Sequence, residues 1–158
     1  MEPVVHAATL ADLDDVRTLF REYVALISVD LGFQSFEDEL RSLPGRYAPP
    51  SGRLYLARIG DDPAGCVALR EIGPGVAEMK RLFVRSSARG HGLGRTLAVR
   101  VIEDARALGH RVMRLDTLRM EQMEAANRLY DALGFRDIPA YYDNPLPGAR
   151  YMELSLAV

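Results

Sequence analysis

The stretch 76–108, VAEMKRLFVRSSARGHGLGRTLAVRVIEDARAL, decides the fold. Residues 76–84 read as a strand, and the glycine-rich run Arg89-Gly90-His91-Gly92-Leu93-Gly94 follows. From there Leu93, Leu97, Val101, Ala105 and Leu108 recur at helical spacing, and Gly109 stands where a helix C-terminal cap belongs. Strand, glycine-rich turn and helix make an anion site, because unpaired backbone N–H groups and the positive end of the helix dipole converge at the helix start. Gly90, Gly92 and Gly94 lack the β-carbons that would hold a pyrophosphate away from those groups. Arg81, Arg85, Arg89 and Arg95 crowd the same stretch, which points to a local anion site rather than a polynucleotide groove. The spacing excludes two common phosphate loops. A dinucleotide fingerprint needs glycine where Arg95 stands, and a Walker loop needs a Gly-Lys pair, which occurs nowhere in the chain.

Working outward, residues 4–8 read as a strand, and Thr9-Leu10-Ala11-Asp12 as a capping box opening a helix that carries Leu13, Val16, Phe20, Val24 and Ile27 on one face. Ser35 with Asp38 reads as a second box, opening a short helix that stops near Pro44, and 45–52 with Pro49-Pro50 as a loop. Residues 54–59 and 65–72 are strand-like runs flanking the polar turn Gly60-Asp61-Asp62-Pro63, and Gly73-Pro74-Gly75 leads into the strand at 76–84, which completes a three-stranded meander. Residues 112–117 read as the next strand and 121–133 as a helix, with Met123, Ala126, Leu129, Tyr130 and Leu133 on one face and Gly134 as its stop. Strands at 135–140 and 151–156 close the chain. The order β α α β β β α β α β β, with no repeat or linker, predicts one α/β domain over 1–158 with a mixed six- to seven-stranded sheet flanked by helices.

Composition narrows the function classes. With 48% hydrophobic and 27% charged residues, the 158-residue chain sits in the soluble globular range and needs no staple to hold a core. The single Cys66 allows no internal disulfide, and cytoplasm is the expected compartment. Met1-Glu2-Pro3 lacks a basic region, and no apolar run approaches the roughly 18 residues of a membrane helix. A net charge of −2 does not favour nucleic acid or anionic lipid. His6, His91 and His110 are scattered, with no HExxH and no cysteine pair, so no metal site is expected.

What remains at 89–94 is Arg-x-x-Gly-x-Gly. Together with NRLYDALGF at 127–135 it resembles the two signatures of the GNAT superfamily of N-acetyltransferases, and the element order agrees over essentially the whole chain. The resemblance implies acetyl-CoA as cofactor and an amine, on a small molecule or a peptide, as acceptor, with no nucleic acid and no membrane as partner; a homodimer is left open. By position it implies that Leu82, Phe83 and Val84 offer backbone groups to pantetheine, and that Arg89, Gly90, His91, Gly92, Leu93 and Gly94, with Arg95 beside them, hold the pyrophosphate. Asn127 and Tyr130, three apart on one helix, address the same ligand. Tyr130 is implied as the group at the cofactor sulfur and Glu78 as the base that takes the amine proton through water.

Reference acidities limit both roles. A phenol of pKa about 10 protonates a thiolate of conjugate pKa about 8.5 at an adverse cost of roughly 2 kcal/mol, so Tyr130 reads as a hydrogen-bond donor to developing charge that passes its proton late. An alkylamine of pKa near 10.4 needs about 4.6 kcal/mol to deprotonate at pH 7 and an α-amine near 7.8 only about 1, so a base matters most for the former. Two other readings use the same residues: a protein N-terminal or lysine acetyltransferase, and an acyl-CoA binding module without turnover. The acceptor pocket is expected from the first two helices, the 45–52 loop and the segment 141–145, with Tyr141, Tyr142 and Phe33 as aromatic walls and Asp143 and Glu22 as groups for a cation.

Overall fold

The computed structural model describes residues 1–28 and 30–157, with Phe33 described by its backbone alone. Among these residues the chain runs β1 (Val4–Ala7), α1 (Leu13–Ile27), α2 (Phe36–Ser42), β2 (Arg53–Ile59), β3 (Asp62–Gly73), β4 (Val76–Val84), α3 (Leu93–Ala107), β5 (Val112–Leu118), α4 (Glu124–Leu133), β6 (Arg136–Asp137) and β7 (Ala149–Ser155). The strands form one seven-stranded mixed sheet in the order β1-β2-β3-β4-β5-β7-β6. The pairings are antiparallel except that of β4 with β5, the two strands joined by the α3 crossover. This is the expected α/β architecture and element order.

Local chemistry explains the boundaries. Asp12 accepts from the Thr9 N–H at 2.8 Å and the Thr9 hydroxyl at 3.0 Å, so the box forms, but it opens a short 3-10 turn that runs on into α1. The expected box at Ser35 is not formed. Ser35 sits in the left-handed region at φ 55° and its hydroxyl caps nothing, while Asp38 pairs with Arg41 one turn on. The 45–52 loop contains a 3-10 turn, Gly45–Tyr47, whose Tyr47 is buried. β3 begins at Asp62, earlier than expected, because Gly60 at φ +62° closes the hairpin in two residues; a register shift at Ala57/Arg58 absorbs the difference. The strand expected at 135–140 shrinks to Arg136–Asp137. The Ile138 N–H still reaches the Tyr151 carbonyl at 2.9 Å, but Pro139 has no N–H with which to continue the ladder.

Strand alternation sends the two faces of the sheet to different helices. Tyr55, Ala57, Val67, Leu69, Ala77, Met79, Met113 and Leu115 pack with Leu97, Val101 and Ile102 of α3 and with Tyr130 of α4. The intervening Leu54, Leu56, Cys66 and Ala68 pack with Val16, Leu19 and Phe20 of α1 and Leu40 of α2. Each fully buried Leu contributes about 1.5–3 kcal/mol to this sandwich. With Ala77 and Met79 committed to the α3 face, Glu78 and Lys80 of β4 are turned to the α1/α2 face, as are Arg114 and Asp116 of β5. No helix among the described residues is long and apolar enough to cross a membrane.

Candidate active site

The site begins where the sheet comes apart. β4 and β5 pair only through Val76–Val112, Ala77–Met113 and Glu78–Arg114, although β4 runs on to Val84 and β5 to Leu118. Past these three pairs the facing edges diverge. Leu82, Phe83 and Val84 therefore present backbone groups on the β5 side that no strand satisfies, as a ligand lying between the strands requires.

At the open end of this seam lies the loop 89–94. Gly90 has φ +90° and Gly92, the residue before α3, φ +67°; a β-carbon built on either meets nothing within 4 Å. The backbone conformation thus requires glycine, and the space beside it is open, which fits a pyrophosphate cradled at the start of α3. Arg89, Gly90, Gly92, Leu93 and Gly94 line a groove of about 280 Å³ with Leu82, Phe83 and Val84. His91 and Arg95 are exposed and outside the groove wall. The expected arginine cluster is corrected. The Arg81 guanidinium is held by both oxygens of Glu39 at 2.8 and 2.9 Å, and Arg85 by Glu22 and the Pro63 carbonyl, so neither serves this loop.

The groove narrows into a cleft of about 30 Å³ between the strands, sharing Tyr23, Leu82 and Met123 with it. Tyr130 lines this cleft, 5% exposed, its ring edge-on to Phe135 at 5.8 Å. Burial pushes its phenol well above the ordinary value, so it keeps its proton and has an O–H available to donate. Thr117 stands in the same wall, 3% exposed, with no hydrogen-bond partner for its hydroxyl among the described residues. Asn127 is not brought to the cleft. Its amide nitrogen donates to the Leu118 and Met123 carbonyls, both at 2.9 Å, so it ties α4 to the end of β5 and, against the expectation that it addresses the ligand, lines neither the cleft nor the loop groove.

A register shift in β4 shapes the inner end. Cys66 faces Phe83 but Ala68 faces Lys80, which makes a bulge at Arg81, held at φ 60°. A non-glycine residue there stores about 1–2 kcal/mol of strain, and Arg81 is fixed in place by Glu39 and by Gln34 at 2.9 Å. Lys80 lies beside it, 3.2 Å from the Gln34 oxygen and 3.6 Å from Asp116 Oδ1. Burial, then the neighbouring Arg81 charge, pulls the Lys80 ammonium below its ordinary value.

Gln34, Lys80 and Arg81 form the border between the cleft and a third space, a polar pocket of about 530 Å³ on the α1/α2 face. Glu39 on α2, Arg46 in the 45–52 loop, and Tyr141 and Tyr142 help to enclose it, whereas α1, also expected to build the acceptor pocket, contributes no residue to its wall. Glu22 and Asp143 do not line it, since Glu22 is spent on Arg85 and Asp143 is exposed elsewhere; the side chain of Phe33 lies outside the described residues. Glu78 stands in its wall, 1% exposed, with Oε1 accepting from Arg70 at 2.8 Å and Oε2 from Tyr141 at 2.6 Å. Asp116, which the sequence reading missed, lines the cleft. Its Oδ2 accepts from Tyr142 at 2.7 Å and Asn144 at 3.2 Å, while among the described residues Oδ1 has only the loose ion pair with Lys80. The available signal was that Arg114 and Asp116 alternate with Met113, Leu115 and Thr117, which places charges on one face of a central strand. Among the described residues no group of three or more His, Cys, Asp or Glu is arranged to hold a metal ion.

The glycine-rich loop at the start of α3, the seam between splayed parallel strands and the polar pocket at its far end fit an acyl-carrier-dependent transferase. The Acetyltransferase (GNAT) family model matches residues 14–135. The chain is 42% identical over 148 residues to an uncharacterized N-acetyltransferase of Schizosaccharomyces pombe, covering 92% of this chain and 90% of that protein. It superposes on an acetyltransferase of the GNAT family from Staphylococcus aureus with a TM-score of 0.81 at 17% identity, covering 98% of this chain and 99% of that one. It also superposes on the PaiA N-acetyltransferase of Thermoplasma acidophilum, solved in complex with coenzyme A, with a TM-score of 0.75 at 17% identity, covering 98% and 99% of the two chains. The chain belongs to the acetyltransferase (GNAT) family, and is an acyltransferase that uses acetyl-CoA.

Proposed function

We propose that the protein transfers the acetyl group of acetyl-CoA to a primary amine by direct attack in a ternary complex. The observation that carries this reading is the continuity of the three spaces: the loop groove meets the narrow cleft at Leu82, and the cleft meets the acceptor pocket at Gln34, Lys80 and Arg81. Cofactor and acceptor thus approach the cleft from opposite ends. Arg89 to Gly94 hold the pyrophosphate, with Arg95 adding charge beside them, and Leu82, Phe83 and Val84 bind the pantetheine arm.

In the cleft the amine nitrogen bonds to the thioester carbonyl carbon and the carbon–sulfur bond breaks. Tyr130 donates a hydrogen bond to the departing thiolate and passes its proton late, to be replaced from solvent. The amine proton goes to a carboxylate. Glu78 has both oxygens engaged by Arg70 and Tyr141, whereas Asp116 lines the cleft and keeps Oδ1 free of hydrogen bonds, so Asp116 takes the proton and Glu78 orders the wall behind it.

The test is thiol release from acetyl-CoA in the presence of an amine panel, with wild type and Tyr130→Phe. The ring still packs on Phe135 in the variant, so fold and acetyl-CoA affinity are retained while turnover falls about 10- to 100-fold. Near wild-type turnover in the folded variant removes Tyr130 from the mechanism. Acetyl-CoA binding with no thiol release from any amine, peptide N-termini and lysines included, replaces the enzyme reading with that of a binding module.

A further inference from the structure

The acceptor pocket is lined by five cations, Arg46, Arg70, Lys80, Arg81 and Arg114, against two carboxylates, Glu39 and Glu78. How these groups are partnered matters more than their number. Both carboxylates are saturated from within the protein: Glu39 by the fork of Arg81, Glu78 by Arg70 and the Tyr141 hydroxyl. Three guanidiniums are not. Arg70 spends only Nε, on Glu78. Arg114 spends only Nε, on Glu153 at 2.9 Å, and lies 5.3 Å over the Tyr141 ring. Arg46 spends one Nη, on the Glu71 carbonyl at 3.0 Å. Their other N–H groups have no partner among the described residues.

The placement of these donors follows from register. Arg70, Glu78 and Arg114 face one another across β3, β4 and β5, so the two guanidiniums flank Glu78 on one face of the sheet. Arg46 reaches the same pocket from the loop after α2. The wall therefore offers surplus donors in the planar geometry that matches an oxyanion, and no unsatisfied carboxylate to attract a second cation. At the inner border stand Lys80 and Arg81, each already paired with a carboxylate, Asp116 and Glu39, so the border adds no net negative charge to draw in an ammonium arriving alone. An acceptor that carries its own negative charge meets both conditions.

We propose that the acceptor is a small amino acid, its amine directed at the cleft and its carboxylate held by the free guanidinium nitrogens of Arg46, Arg70 and Arg114. This rests on the acetyl-transfer reading and deepens it. A pocket of about 530 Å³ has room for such a molecule. The carboxylate is a specificity element that takes no part in the bonds made and broken.

The test compares the standard amino acids and β-alanine with their carboxamides, and with O-phosphoethanolamine, in a thiol-release assay on the full chain. Converting a carboxylate to an amide lowers the pKa of the amine, so intrinsic reactivity at neutral pH favours the amide, and a preference for the acid can come only from binding. At least one amino acid is expected to exceed its carboxamide about tenfold or more in kcat/KM. Arg46→Gln, at an exposed side chain tied only to a backbone carbonyl, and Arg114→Gln are each expected to raise the acceptor KM several-fold and to shrink the acid-over-amide ratio, with Arg46→Lys intermediate. Carboxamides turned over as well as the acids overturn this proposal and leave the acetyl-transfer reading standing, as does O-phosphoethanolamine exceeding every carboxylate. Calorimetry on the CoA-saturated protein separates the opposite case: an amino acid that binds better than its amide without thiol release supports the pocket assignment and overturns the transfer reading. If no amino acid binds better than its amide and none is turned over, the pocket assignment is wrong.

Discussion

Thr117 on β5 is 3% exposed, and its hydroxyl has no hydrogen-bond partner among the described residues. A buried donor without a partner costs about 1–3 kcal/mol relative to an apolar group of the same shape. Valine is that group, since it keeps the branched outline and the stiff rotamer that suit a strand. Thr117→Val is therefore expected to stabilise the protein free of acetyl-CoA by about 1–2 kcal/mol. For a chain of this length each kcal/mol moves Tm by about 2–4 °C, so the melting temperature rises by about 2–8 °C. Differential scanning calorimetry on the two proteins without cofactor reads it directly, and a urea midpoint at unchanged slope checks that the gain lies in the native state. An unchanged or lowered Tm refutes the reasoning, because it means that the hydroxyl is satisfied in solution and that the valine methyl finds no better packing.

Two further predictions concern the site. Gly92→Val places a branched side chain at φ +67°, where the protein leaves open space; the folded variant is expected to lose acetyl-CoA affinity by at least about tenfold, and unchanged affinity by calorimetry removes the loop from phosphate binding. Asp116→Asn is expected to lower turnover most for amines of high pKa and least for those already neutral at the assay pH, with Glu78→Gln showing a weaker trend; a loss of equal size across a series of graded amines shows that neither carboxylate takes the proton.

The parts of the protein visible from sequence were those fixed by local chemistry. The glycines of 89–94, the apolar stripe from Leu93 to Ala105 and the Thr9–Asp12 box depend on neighbours within a few positions, and each appears in the fold. Ser35 failed as a cap because its backbone is set by the turn before α2, and the strand at 135–140 failed because Pro139 stops a ladder whose partner is fixed by β7. The acceptor side was legible only in outline. That Tyr141 and Arg46 share a pocket follows from loops far apart in the chain, and the roles of Arg114 and Asp116 follow from a register with β4 that alternation alone does not specify. Local density of arginine was also misleading: Arg81 and Arg85 lie close to Arg89 in sequence, but the bulge and the end of β4 turn them to Glu39 and Glu22.

The seam between β4 and β5 has a mechanical side. Four strands, β1 to β4, lie on one side of it and three, β5, β7 and β6, on the other, and the two halves of the sheet are laced together by three residue pairs at one end. Such a sheet is a pair of leaves joined at one end, whose unpaired backbone edges face each other across the narrow cleft. A molecule lying in the gap works as a clasp as well as a reactant, so occupancy should slow hydrogen exchange at amides of Leu82 to Val84 and on β5, far more than at the continuous β2–β3 ladder.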